Sequence, residues 1–95
     1  MPAYLQAEID VVDPEAYAEY RSRVPDVIAA YGGRYLVRGG TVIALEGGAG
    51  ENRRVIVEFP DMERLLAFYN SEDYAPLIPL RQRASRGSII AVEGV

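Results

Sequence analysis

The sequence predicts an α+β fold: a four-stranded antiparallel sheet in β-α-β-β-α-β order, with both helices on one face. Three observations carry this expectation. Residues 3–11 and 53–59 alternate apolar and polar side chains with the two-residue period of half-buried strands. Asp13-Pro14 and Asp61 each open a segment whose apolar residues recur at helical spacing. The strand-helix-strand order occurs twice, which is the split βαβ or ferredoxin-like pattern.

In the first strand Ala3, Leu5, Ala7, Ile9 and Val11 share one face, with Tyr4, Gln6, Glu8 and Asp10 on the other. Asp13 can accept hydrogen bonds from the first free helical amides, and Pro14 suits the first helical position. Tyr17, Tyr20, Val24, Val27, Ile28 and Tyr31 form the inward stripe of that helix. Pro25 removes one backbone donor and is expected to kink the helix. Gly32-Gly33 ends it. A second strand is expected over 34–46, interrupted by a bulge or sharp twist at Gly39-Gly40; a tight turn between two short strands is the competing outcome. The loop at 47–52 is glycine-rich and expected to be the most flexible part of the chain. It lacks the Gly-Lys-Ser/Thr ending of a phosphate loop.

The third strand places Val55, Val57 and Phe59 on one face and Arg54, Ile56 and Glu58 on the other. Pro60-Asp61 stops it, and Met62, Leu65, Leu66 and Tyr69 keep helical spacing. Ser71 reads as a second cap. Pro76 and Pro79 forbid one long helix, so a turn and a short helical piece to about Ala84 are expected before a last strand over 88–93.

Residues 1–95 make a single domain, small enough that a partner surface would help its core. The chain carries a net charge of −4 and no basic face is evident, which argues against nucleic acid as a partner. Its ten basic residues are all Arg, the better side chain for fixed, bidentate contacts to carboxylates. There is no Cys for disulfide or thiolate chemistry and no His, the commonest metal ligand and general base. No apolar run approaches a membrane span and no signal peptide is visible, so a cytoplasmic location is expected.

The right-handed crossover rule makes strands one and three central and two and four edges. Leu5, Ile9, Val55, Val57 and Phe59 then face the helices. The opposite face would carry Tyr4, Gln6, Glu8, Ile56, Glu58, Leu36, Arg38 and one of Ile89 or Ile90. That is too apolar for a bare sheet face and too polar for a core, so a homodimer with a partly polar space between two sheets is expected. Glu8, Arg38, Arg54 and Glu58 have the signs to pair across it.

Several motifs in order, Arg34-Tyr35-Leu36-Val37-Arg38-Gly39-Gly40, Glu58-Phe59-Pro60, Tyr69-Asn70-Ser71-Glu72-Asp73-Tyr74, Pro79-Leu80-Arg81 and Val92-Glu93-Gly94, resemble the family catalogued as domain of unknown function 1330. The resemblance runs nearly end to end and implies the dimeric α+β barrel superfamily. That superfamily includes cofactor-free monooxygenases, muconolactone isomerase-like enzymes, haem-degrading enzymes and ligand-binding modules. It therefore implies a fold and a dimer, not one chemistry. The haem-degrading members bind iron through a His, which this chain lacks.

Arg38 is the first candidate for chemistry, as a stabiliser of an anion or enolate beside the open backbone of Gly39. An ion pair with Glu8, Glu46 or Glu58 that tidies the dimer interface is the commoner role for such a residue. Tyr74 and Tyr35 are candidate proton donors or ligand-stacking groups, against a packing role. Glu8 and Glu58, on neighbouring strands, could raise one another's pKa and make a general base, or simply neutralise arginines. Arg81 is a candidate inward-pointing ligand contact. No cofactor and no metal is expected. Three functions remain open: a cofactor-independent enzyme or binder for a small aromatic or carboxylated metabolite; a non-catalytic dimeric ligand- or protein-binding module; and an RNA binder, which needs basic charge and exposed aromatics that are lacking here.

Overall fold

Acidic caps start the first two helices of the computed structural model, which describes residues 1–48 and 50–95. The Asp13 carboxylate accepts from the Ala16 amide at 3.2 Å and the Asp61 carboxylate from the Arg64 amide at 2.8 Å. The elements are β1 (Ala3–Val11), α1 (Pro14–Ala30), β2 (Arg34–Arg38), β3 (Arg53–Phe59), α2 (Met62–Tyr69), α3 (Leu77–Ala84) and β4 (Ser85–Glu93). The strands form one sheet in the order β2-β3-β1-β4, every neighbouring pair antiparallel. The expected ferredoxin-like arrangement is therefore present, with β1 and β3 central.

The helices cover one face of the sheet. Leu5, Val57 and Phe59 rise from it to meet Val24 and Ile28 of α1, Leu65 and Phe68 of α2, and Leu77 and Leu80 of α3. Each such side chain contributes roughly 1.5–3 kcal/mol when fully buried. Gly33 permits a close approach between the end of α1 and the sheet, because a Cβ there would lie 2.7 Å from Ile28 Cγ2 and 2.8 Å from Phe59 Cε1. Among the described residues no helix is long and apolar enough to cross a membrane.

Four expectations are corrected. The second strand stops at Arg38, and 39–45 are not strand; Gly39 turns the chain away with φ of 74°. The bulge lies earlier than expected. Tyr35 pairs with Val57 but Val37 pairs with Ile56, so Leu36 is one residue too many for its partner strand. That inserted residue reverses the facing of the two strand residues after it. Arg38 lies opposite Val55 and so shares the helix-facing side of the sheet, not the open side. Finally, β4 begins at Ser85, directly after α3, rather than at Ser88. Gly87 makes the early start possible: its φ is 150°, and a Cβ there would collide with the Glu8 carbonyl oxygen across the β1–β4 ladder. The expected flexibility of the 47–52 loop concerns a segment containing Ala49, which lies outside the described residues.

Candidate functional site

Beneath α1 the helix-facing side of the sheet does not close completely. A cavity of about 40 Å³ lies between Leu5, Val55 and Val57 of the sheet and Tyr17, Tyr20 and Val24 of the helix. That is room for about three waters. Four arginines (21, 38, 53 and 81) and four tyrosines (17, 20, 35 and 74) line it, and among the described residues no Asp or Glu does. The ion pairs of the described residues are elsewhere: Arg23 with Glu19, Arg34 with Glu58 and Arg54 with Glu8. An acidic protein thus keeps a local concentration of uncompensated positive charge around an apolar floor, which attracts anions.

Two arginines stand at the β2–β3 side of the cavity. Arg38 lies over the Tyr35 ring, 4.6 Å from its centroid, and its Nη2 donates to the Arg21 carbonyl at 2.8 Å. In a regular helix that carbonyl would accept from the amide of residue 25. Residue 25 is proline and has no amide hydrogen. The proline within α1 thus leaves an acceptor free, and Arg38 uses it. Arg53 lies near the Tyr17 ring, 5.6 Å from its centroid, and packs against Gly39, where a Cβ would collide with its guanidinium. Its Nε is buried without a hydrogen-bond partner among the described residues. Replacing Pro25 with alanine is expected to return the Arg21 carbonyl to the helix and loosen Arg38. Helix content by circular dichroism should hold or rise while benzoate affinity falls by about 3–10-fold, the loss of one modest hydrogen bond. Undiminished affinity would refute the positioning role of that carbonyl.

Tyr74 and Arg81 stand at the α3 side. Ser71 fixes the turn that delivers Tyr74: its Oγ accepts from the Tyr74 amide at 3.1 Å and donates to the Phe68 carbonyl at 2.8 Å. The Tyr74 ring is 1% exposed. Its hydroxyl lies 2.8 Å from that of Tyr20 and accepts from Arg81 Nη1 at 3.1 Å. Two hydroxyls share one hydrogen bond, so one phenolic proton of the pair is uncommitted among the described residues. Burial pushes the Tyr74 hydroxyl above its ordinary pKa, although the Tyr20 hydrogen bond and the Arg81 charge pull the other way. Burial, followed by the neighbouring Tyr74, pushes Tyr20 far up as well. At neutral pH both are proton donors rather than bases. Because these folded values exceed the unfolded value of 10.0, the pair contributes full stability below pH 10 and loses it as pH rises further. Urea unfolding at pH 8 and pH 11 should show that fall, and Tyr20→Phe should lessen it.

Of the residues expected to carry chemistry, Arg38, Tyr35, Tyr74 and Arg81 all line this cavity, with Gly39 at its rim. Glu8 and Glu58 do not. Both sit on the open face, where the antiparallel register sets Glu8 opposite Arg54 and Glu58 opposite Tyr4, with the Gln6–Ile56 pair between them. Glu58 accepts from Arg34 Nε at 2.8 Å, and Glu8 meets Arg54 at 3.2 Å and Asn52 at 3.1 Å. The Asn52 hydrogen bond and then Arg54 lower the Glu8 pKa, the opposite of a raised general base. The expected carboxylate pair is therefore corrected, as is the expected pairing of Arg38 with either of them. Tyr17, Tyr20, Arg21 and Arg53 were not expected here. The period of β3 could have revealed Arg53, since it falls on the same face as Val55 and Val57. Tyr17 and Tyr20 were visible as an inward stripe, but a stripe does not distinguish core from cavity wall.

The family model described as Domain of unknown function (DUF1330) matches residues 2–95. No curated protein matches the sequence. Among solved structures, a protein of unknown function from Rhodopseudomonas palustris superposes with a TM-score of 0.79 at 18% identity, over 99% of this chain and 82% of that one. A dimeric ferredoxin-like protein of unknown function from Jannaschia sp. CCS1 gives 0.69 at 12% identity, over 100% and 99%. SnoaB, a cofactor-independent oxygenase from Streptomyces nogalater, gives 0.66 at 12% identity, over 99% and 93%. These identities show a shared fold and nothing finer.

Proposed function

Since the chain belongs to the DUF1330 family of domains of unknown function, we propose that it is a dimeric, cofactor-independent protein that binds and transforms a small aromatic or carboxylated metabolite in the cavity beneath α1. One observation carries this reading: four arginines and four tyrosines surround an apolar space that no carboxylate lines among the described residues. Arg38 would hold the anion or developing enolate, with Tyr35 as the platform beneath it, and Tyr74 would donate a proton. With no carboxylate or imidazole in the cavity, the substrate must arrive ionised or be acidic enough to lose its proton to water. That suits the monooxygenase- or isomerase-like chemistry of acidic, conjugated compounds, and a cofactor-independent oxygenase shares the fold. Melting-temperature shifts with a panel of small acids and phenols test the reading; if no member of the panel stabilises the protein, it fails.

The open sheet face supports a homodimer with sheets packed face to face, and a ferredoxin-like structural neighbour is described as dimeric. Ile90 is 54% exposed on this face, Leu36 47% and Val92 40%, beside the half-buried Ile56 and Val37. Such apolar exposure is costly without a cover. Ile90→Arg is expected to convert the dimer to monomer in size-exclusion chromatography with light scattering, and a variant that remains dimeric would exclude this face.

A second reading, a non-catalytic binding module, is favoured by the cavity's volume of about 40 Å³. Sites for drug-sized ligands usually offer ~300–1,000 Å³. Saturable binding without turnover would establish it.

A further inference from the structure

We infer that the ligand is two-headed: a planar aromatic acid whose carboxylate is held by Arg38 and Arg53, and whose ring hydroxyl, at the far end, meets Arg81 and the Tyr20–Tyr74 pair. This inference rests on the reading of the cavity as a ligand site and adds to it the substrate class. The cavity has two polar ends with different chemistry. At the β2–β3 side are two guanidinium groups with no ion-pair partner among the described residues, and the buried Nε of Arg53 has no acceptor among them either. A buried N–H without an acceptor is rare in proteins and calls for a partner that the free chain does not supply. A carboxylate suits this end, because guanidinium groups match its paired oxygens.

The other end is formed from α3 and the turn before it, on the same face of the sheet but toward its β4 edge, where α3 packs against α1 and β4. Here Arg81 and Tyr74 are both buried, and Arg81 already donates to the Tyr74 hydroxyl. What remains on offer is one phenolic proton, which matches a single oxygen rather than a carboxylate. Between the ends the lining is apolar: Leu5, Ile28, Val57 and Phe68 provide surfaces for a ring. A ring with a polar group at each end needs more room than the free cavity's volume of about 40 Å³. Entry of the ring would require the exposed Arg38 side chain at the mouth to shift before it closes on the carboxylate.

Titration calorimetry with benzoate, phenol, 4-hydroxybenzoate and 2-hydroxybenzoate tests this on the whole protein. In the wild type, 4-hydroxybenzoate should bind at least ten-fold more tightly than benzoate, and 2-hydroxybenzoate should gain nothing. The double variant Tyr20→Phe with Tyr74→Phe should bring the 4-hydroxybenzoate to benzoate ratio close to one, since either tyrosine alone keeps one uncommitted proton. Should it not fold, 4-methylbenzoate, which has a methyl group in place of the ring oxygen, asks the same question of the wild type and should gain nothing over benzoate. Arg53→Met should erase the advantage of both acids over phenol. Equal affinity for benzoate and 4-hydroxybenzoate would overturn the two-headed ligand while leaving the cavity as an anion site. No binding by any of the four would remove both.

Discussion

Replacing Arg38 with alanine is expected to weaken binding of a small aromatic carboxylate by about 10–100-fold while leaving the melting temperature within a few degrees of wild type. A hydrogen bond to a charged group contributes roughly 1.5–3 kcal/mol, and each 1.4 kcal/mol is a factor of ten in affinity. The small stability effect follows from position. Arg38 ends an edge strand, is solvent-exposed, and among the described residues has no ion pair to lose; it gives up one hydrogen bond to the Arg21 carbonyl and its contact with the Tyr35 ring. Surface substitutions of that kind change stability by about half a kcal/mol. Calorimetric titration with benzoate, run beside a thermal melt, separates the two quantities. If affinity is unchanged, Arg38 is a helix-bracing residue and the anion is held elsewhere. If affinity and melting temperature collapse together, the residue is structural.

Phe68→Ala is expected to have the largest effect on stability, a loss of about 3–5 kcal/mol. The ring is fully buried, and its centroid lies 4.4 Å from that of Tyr74, 5.4 Å from Phe59 and 6.3 Å from Tyr31. It therefore joins α2, the sheet, the end of α1 and the turn that carries Tyr74. For a domain of this size each kcal/mol moves the melting temperature by about 4–8 °C, so a fall of at least ~12 °C is expected. Since a small domain's total stability is about 5–15 kcal/mol, the variant should approach unfolding at moderate urea concentration. Phe68→Leu retains most of the apolar volume and should lose less than half as much. A loss under ~1 kcal/mol for Phe68→Ala would mean that the neighbouring rings collapse into the space.

The two variants act on different parts of one arrangement. Phe68 and Ser71 place Tyr74 at the inner end of the cavity, while Pro25 and Gly39 leave room and an acceptor for the arginines at its mouth. Pro25 illustrates how far a local feature can reach. In the sequence it is a missing donor in a helix. In the structure the orphaned Arg21 carbonyl holds a guanidinium from the edge of the sheet.

The periodicities of residues 3–11 and 53–59, the Asp caps and the glycine pair after α1 are local signals, set by steric and hydrogen-bonding rules that act within a few residues. They were enough for the fold, the strand order and the helix-facing core of Leu5, Val57 and Phe59. Arg38, Tyr35, Tyr74 and Arg81 were also legible as candidates, from their residue type and their place at breaks in regular structure. What lay beyond the sequence was which side of the sheet they occupy. No glycine marks the bulge at Leu36, and a single inserted residue moved Arg38 from the open face to the cavity under α1. Nor could strand periodicity show that Glu8 and Glu58, on the same face, would sit two pairs apart with Arg54 and Arg34 as their partners. Alternation fixes a face only relative to its own strand. The register between strands, and the way three helices close over the sheet, decide which of those faces meet, so the site depended on tertiary structure even where its residues did not.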